Sequence, residues 1–211
     1  MSRPRRKSFW RWEPLPYLII VVLLLITGTL RPDAMPVAFW IVAVVTVAVI
    51  VAFAVQLIVE ARRPAPNPDS SGDLSTLDGL TLLDAAPTSD RPVAVVDDHR
   101  HQSALDATQA RAAATGDAIM AVLVPGASRW LAFRLRVSVQ LTVGAHIHHA
   151  GFLPDAETER WQDELALLRE HGVYVRVPAA VMGATRPFAA TVDLGGLSAV
   201  IHSAEAQQSS S

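Results

Sequence analysis

The 211-residue chain is 51% hydrophobic, carries a net charge of −2 and contains no cysteine. The absence of cysteine excludes a disulfide framework and thiolate metal sites. Apolar residues are concentrated in the first 60 positions, so the remainder has the composition of an ordinary soluble domain. After a polar connector, roughly 110 residues are left, which is a common size for one domain.

The first 14 residues form a basic tail with a single acidic residue, Glu13. A positive tail before an apolar run is also typical of a cleaved signal peptide. Here Thr27-Gly28-Thr29 is a poor cleavage site and a second apolar run follows at once, so we favour an uncleaved cytoplasmic tail lying against anionic lipid headgroups. The basic residues are Arg3, Arg5, Arg6, Lys7 and Arg11.

Two apolar runs, residues 15–30 and 37–59, predict an α-helical transmembrane hairpin. The second run is interrupted only by Thr46 and Gln56, and as a helix it is about 35 Å long, enough for a hydrocarbon core of about 30 Å. The first is about 24 Å long and needs aromatic residues at the headgroups to complete a crossing. Neither run contains Asp, Glu, Lys, Arg or His, so no proton relay is expected. Basic residues precede the first run and follow the second. This distribution predicts a two-pass protein of the inner (plasma) membrane with both termini in the cytoplasm.

Residues 60–90 are rich in Pro, Ser and Asp, which predicts a disordered linker. An apolar island lies within it. This island could dock on the following domain or bind a partner as a short helix, although a transient helix without a partner is the simpler interpretation. Its members are Leu74, Leu77, Leu80, Leu82 and Leu83.

Residues 91–203 predict a small, mostly antiparallel α+β domain in the cytoplasm, followed by a disordered tail over 204–211. The clearest strand is Arg134–Thr142, in which apolar and polar side chains alternate. An amphipathic helix is predicted over Pro154–Gly172. Its apolar face consists of Ala156, Trp161, Leu165 and Leu168. The other elements are a helix over Ser103–Thr115 and strands over Pro92–Val96, Asp117–Val124, His146–Leu153, Val173–Val181 and Phe188–Leu194.

The histidines are the one group that suggests metal chemistry. His146 and His148 are expected on one face of a strand, where they could chelate a metal, while His149 points to the other face. No third ligand lies in that strand, so surface histidines are the favoured interpretation. Because common phosphate-binding, dinucleotide and hydrolase motifs are also absent, we predict no catalytic residue and no cofactor, and rank a metal-dependent enzyme third.

Residues 137–196 resemble HIRAN-type β-domains, which are appended to many actinobacterial proteins. The resemblance rests on the turn Gly151–Pro154, on the acidic helix containing Trp161, and on the segment Val177–Gly183 before a last strand. It implies a small barrel-like domain and, in members fused to DNA-repair enzymes, a site for single-stranded DNA ends.

A candidate binding patch consists of Arg134, Arg136, Arg176 and Trp130. Residues 90–211 nevertheless hold ten Arg against thirteen Asp and Glu, whereas nucleic-acid binding needs a basic surface. We therefore predict a non-catalytic module for a protein partner, with a membrane-tethered nucleic-acid binder as the alternative. Assembly with a second copy stays open.

Overall fold

The computed structural model describes residues 14–30, 35–62, 67–69, 71–88, 92–128 and 134–208. The chain divides between Ala65 and Pro66 into two compact units. The predicted basic tail up to Glu13, the turn over 31–34 and Trp130 lie outside the described residues.

The first unit contains two apolar helices, α1 (Leu15–Thr29) and α2 (Pro36–Arg62), which pack on each other. The ring of Tyr17 meets that of Phe53 edge-on at 4.9 Å, and the hydroxyls of Thr27 and Thr46 are 3.3 Å apart. Each hydroxyl also donates a 2.8 Å hydrogen bond to the carbonyl four residues before it, so neither is left unsatisfied in apolar surroundings.

Among the described helices, one is long and apolar enough to cross a membrane: Pro36–Val59, with 24 residues and a mean hydropathy of 2.9. The 15-residue α1 is apolar but shorter. Large apolar side chains on both helices are exposed, including Leu25, Trp40 and Val44. Apolar surfaces of this extent are unfavourable in water. Neither helix has a polar face that it could turn toward water instead.

The second unit is built on a seven-stranded, mostly antiparallel sheet with strand order β2-β7-β6-β3-β4-β5. Strand β1 is the exception, because it pairs in parallel with the first part of β6. The strands are β1 (Thr81–Asp84), β2 (Pro92–Ala94), β3 (Met120–Ala127), β4 (Arg136–Val143), β5 (His146–Phe152), β6 (Val173–Met182) and β7 (Ala189–Asp193). The helices are α3 (Gln102–Thr115), α4 (Asp155–Glu170) and α5 (Leu197–Gln208), and a 3-10 turn spans Asp98–Arg100.

The sheet is open, which corrects the barrel-like form that the family resemblance implies. In the described residues, its end strands are linked by a single antiparallel bridge and not by a ladder of pairs: Val96, just after β2, and Phe152 of β5 exchange hydrogen bonds of 2.8 and 3.0 Å. The bridge depends on Gly151, which has φ +143°, because a Cβ there would collide with the Val96 carbonyl oxygen.

The main core lies between one face of the sheet and the three helices. Its sheet side includes Val137, Val139 and Leu141, as the alternation along β4 predicts. On α4, Trp161, Leu165 and Leu168 are buried, which confirms the predicted apolar face for these three residues. Ala156 is exposed instead, and the remaining buried positions of the helix are Thr158 and Gln162.

Two segments differ from the disordered regions predicted for them. The leucine island, which lies in the predicted disordered linker, folds onto the second face of the sheet and continues into β1. At the other end, α5 extends into the predicted tail and buries Leu197, Ile201 and Ala204 in the main core. Strand β3 also continues past its predicted end, since a register shift between Val124 and Ala127 accommodates Pro125-Gly126.

Replacing Trp161 by alanine is expected to lower the free energy of unfolding by about 3 to 5 kcal/mol, because it leaves a large cavity in the main core. Urea unfolding of the detergent-solubilised chain, followed by circular dichroism, measures this change. The control is Glu159→Ala on the exposed side of α4, with an expected change below about 0.5 kcal/mol. Equal midpoints for the two variants would show that Trp161 does not anchor the helix.

Replacing Gly151 by alanine is expected to destabilise the domain by more than about 2 kcal/mol, since an unfavourable backbone conformation adds to a steric clash. Gly79→Ala is the matched control, because Gly79 also has a positive φ, +77°, but a Cβ there meets nothing within 4 Å. Its expected cost is about 1 kcal/mol from conformation alone. A larger loss of stability for Gly151→Ala than for Gly79→Ala is the expected result, and equal losses would contradict the close contact with Val96.

Candidate binding face

The second face of the sheet is covered by a short segment, Gly72–Leu80, which we call the strap. Strap residues Leu74, Leu77 and Leu80 pack there in a small cluster of their own, apart from the main core. The sheet surface beneath is called the strap face. It consists of Val122, Val124, Ser138, Gln140, His149 and Tyr174.

The strap face is half polar although it is covered. Ser138 and Gln140 alternate with core residues along β4 and are 0% and 1% exposed. Their register partners on β3, Val124 and Val122, supply the adjoining apolar surface. A composition of this kind is typical of a sheet surface that contacts water, whereas here it contacts the strap.

The strap is held by its own backbone and by one carboxylate. The Gly72 carbonyl accepts hydrogen bonds from Gln140 Nε2 at 2.7 Å and from Ser138 Oγ at 3.1 Å. Asp73 Oδ1 lies 2.7 Å from His149 Nδ1 and 3.1 Å from Gln140 Nε2. Position 72 has φ +80°, and a Cβ there would stand 2.7 Å from the Ala127 Cβ, so the close approach requires glycine.

The protons of this network can be assigned from the valences of its atoms. Nδ1 of His149 is 2.7 Å from both Asp73 Oδ1 and Gln140 Nε2, and it cannot donate to one while accepting from the other. If Nδ1–H donates to Asp73, the two amide hydrogens of Gln140 can go to the Gly72 carbonyl and to Ser138 Oγ at 2.7 Å. This arrangement gives partners to the Gly72 carbonyl, to the Ser138 hydroxyl and to both amide hydrogens of Gln140.

The hydrogen bond from His149 is the main reason that the pKa of Asp73 lies below its usual value. Burial opposes this effect, and Gln140 and the charge of His101 lower the pKa further. Asp73 is therefore ionised when the strap is docked.

The combination of Ser138, His149 and Asp73 does not form a catalytic triad. In a triad, the serine and the carboxylate contact different nitrogens of the histidine. Here Ser138 Oγ and Asp73 Oδ1 both contact Nδ1, at 3.3 and 2.7 Å, and the serine is fully buried. The network therefore holds the strap and does not activate a nucleophile.

The other histidines lie in two separate places. The ring of His101 stands edge-on to that of His149, with centroids 4.4 Å apart, and burial followed by the charge of His149 lowers the pKa of His101. His146 and His148 pair in register with Val143 and Leu141, on the face opposite His149, as the strand pattern predicts. Burial, then the charge of Arg111, lowers the pKa of His148. In the part of the chain that the structure describes, no three His, Asp or Glu side chains are placed to hold a metal ion.

The candidate arginine patch is divided between two sites. Arg134 and Arg136 lie together at the start of β4, and Arg176 lies two strands away on β6. Arg134 pairs with Asp155 at 3.2 Å, and Arg136 lies 3.2 Å from Asp97 and 3.6 Å from Asp155.

Arg176 makes a two-pronged contact with Asp84, with N–O distances of 2.6 and 2.7 Å. This contact lowers the pKa of Asp84 and raises that of Arg176. Each arginine of the patch that the structure describes therefore already has a carboxylate partner.

The strap face was not found from the sequence, although two signals for it were present. The leucine island marked the segment that covers it, and the alternation of β4 placed Ser138 and Gln140 on the face away from the core. What the sequence could not show is that these two signals meet, because 66 residues separate Gly72 from Ser138.

Comparisons with known proteins provide no relative: no family model, curated protein or solved structure matches the chain.

Acidification is expected to weaken the strap through Asp73. Because its pKa is lower in the folded state, ionised Asp73 stabilises the fold above its ordinary pKa of about 4, and this contribution disappears as the pH falls through the lowered value. The difference in unfolding free energy between wild type and Asp73→Asn should therefore shrink as the pH falls below about 4. Urea unfolding at a series of pH values measures it, with Asp78→Asn on the same strap as the control. A difference that does not change with pH would contradict this role of Asp73.

Proposed function

We propose that the protein is anchored in the plasma membrane by α2, with α1 as a second, shorter span, and presents a non-catalytic domain that binds a protein partner. The observation that carries the anchor is the 24-residue stretch of α2, whose apolar side chains are exposed while the second unit has a core of its own. Such a helix is stabilised by lipid and not by the domain.

The hairpin form of the anchor is supported by the packing of α1 on α2. The contact between Thr27 and Thr46 is polar, and its hydroxyls are also bonded to carbonyls within their own helices, which makes it compatible with a hydrocarbon environment. The charge distribution of the sequence favours an orientation with both termini in the cytoplasm and the basic tail at anionic headgroups.

A protein partner is favoured over nucleic acid by the state of the arginines. A phosphate backbone would have to compete with Asp155, Asp97 and Asp84 for Arg134, Arg136 and Arg176. Counterion release requires basic groups that are open to phosphate, and the described patch offers them only after its ion pairs break. Ser138 of the strap face is buried and contacts the same nitrogen of His149 as Asp73 does. This geometry favours binding over catalysis.

The anchor is tested by placing arginine in the middle of α2. Each arginine at a helix centre opposes insertion by about 2.5 to 3.5 kcal/mol, so Val47→Arg with Ile50→Arg should release the chain from membranes during alkaline extraction. Leu167→Arg, at a position 55% exposed on α4, is the matched control and should leave the chain in the membrane fraction. Extraction of the wild-type chain under the same conditions would contradict a membrane anchor.

Partner binding is tested by affinity capture from native membranes. The full chain is compared with a version that ends at residue 66 and therefore keeps the anchor without the domain. We expect the full chain, but not the shortened version, to capture one protein in stoichiometric amount. We also expect no salt-sensitive retention of the full chain on single-stranded DNA. Identical captured proteins would contradict partner binding by the domain, and retention on DNA that falls steeply with salt would favour the nucleic-acid alternative.

A further inference from the structure

We infer that the strap face is the partner-binding surface, and that the strap occupies it in place of an extended, acidic, leucine-containing segment of the partner. This inference rests on the proposed function, because it names the surface and the chemistry of the protein partner. It makes the strap an internal competitor that a partner segment must displace.

The first argument is the composition of the strap face. A surface that is permanently buried is expected to be apolar, because buried polar groups stabilise a fold only when all their hydrogen bonds are made. When the strap leaves, the polar groups of Ser138 and Gln140 can form hydrogen bonds with water instead. Such a surface tolerates both the covered and the uncovered state.

The second argument is the way the strap is attached. Its leucines form a separate small cluster, while the helices cover the opposite face of the sheet. Strand β1 follows the strap and belongs to both clusters, because Leu82 packs beneath the strap and Leu83 packs on the main core. Residues 72–80 can therefore leave while β1 stays paired with β6.

The third argument is that the domain has few large apolar side chains exposed on its surface. Among the described residues of the second unit, three large apolar side chains are exposed, and they lie on separate parts of the fold: Val96, Leu167 and Met182. Isolated apolar residues of this kind are ordinary on a protein surface. The strap face adds a contiguous apolar surface from Val122, Val124 and Tyr174 to hydrogen-bonding groups at one side.

The docked strap defines the chemistry of the segment that would replace it. The face receives one backbone carbonyl at Gln140 and Ser138, one carboxylate at His149, and leucine side chains at the apolar part. A glycine before the carboxylate is required, since a Cβ at that position meets the Ala127 and Ser138 side chains. The expected ligand is therefore an extended Gly-Asp-Leu segment followed by further leucines.

The test uses the full chain in lipid nanodiscs and a fluorescent peptide with the sequence of residues 69–81. In the chain variant Leu74→Ala, the tethered strap is weakened, so the peptide should bind at least ten times more tightly than it binds the wild-type chain. Asp73→Ala is a second weakened variant that leaves the leucines intact. Adding Gln140→Leu to either variant should abolish binding, and so should the change Asp73→Lys in the peptide.

Several outcomes would overturn the inference. One is a weakened variant whose main unfolding transition is the same as that of the wild-type chain and which still does not bind the peptide. Another is a weakened chain that dimerises and rejects the peptide, because the occupant would then be a second copy. If the wild-type and weakened chains capture the same protein in equal amounts, the proposed function stands and the assignment of the strap face is wrong.

Discussion

The domain depends on covering both faces of one sheet. A sheet with β-branched and aliphatic residues on each side exposes two apolar surfaces, and each must be packed against another layer. Three helices cover one face, with Leu105, Trp161 and Leu197 among the buried contacts. The other face has no helix among the described residues and is covered by the strap and its leucines. The unequal cover explains why one side of the domain is a deep core and the other is a small cluster.

The parts of the fold that follow from local patterns could be predicted from the sequence. The alternation along β4 and the helical spacing of Trp161, Leu165 and Leu168 reflect a repeat that each element carries within itself. The strap and α5 could not be predicted in this way. Leu74, Leu77 and Leu80 look like scattered residues in a polar linker until the face beneath them is known, and their packing depends on sheet residues that are 42 or more positions away in the sequence. The ion pairs of the candidate arginine patch could not be predicted for a related reason. A sequence shows the cations but not the carboxylates that fold beside them.

Electrostatics in the domain is largely a matter of close pairs. Arg176 with Asp84 joins β6 to β1, Arg136 with Asp97 joins β4 to the turn after β2, and Asp73 with His149 joins the strap to β5. Each pair fixes a contact between segments that are distant in the chain and contributes little to a long-range field. A surface organised in this way can distinguish a partner by the position of single charges, which differs from the continuous basic surface needed for a polyanion.

Under the proposed function, the strap would also link binding to the membrane anchor through the covalent chain. With the strap docked, residues 63–66 separate the end of α2 at Arg62 from the first described residue of the strap-bearing segment, Asn67. Asn67 is itself tied to this segment, since its side chain donates to the Thr76 carbonyl at 2.8 Å and accepts from the Ser75 amide at 3.0 Å. If a partner segment takes the strap face, residues 72–80 are released, which lengthens the free chain that precedes β1. Because the reach of a chain increases with its length, occupation of the strap face would also let the domain move further from the bilayer. A partner that binds there would change two properties together, namely the exposed surface of the domain and the distance over which it can act.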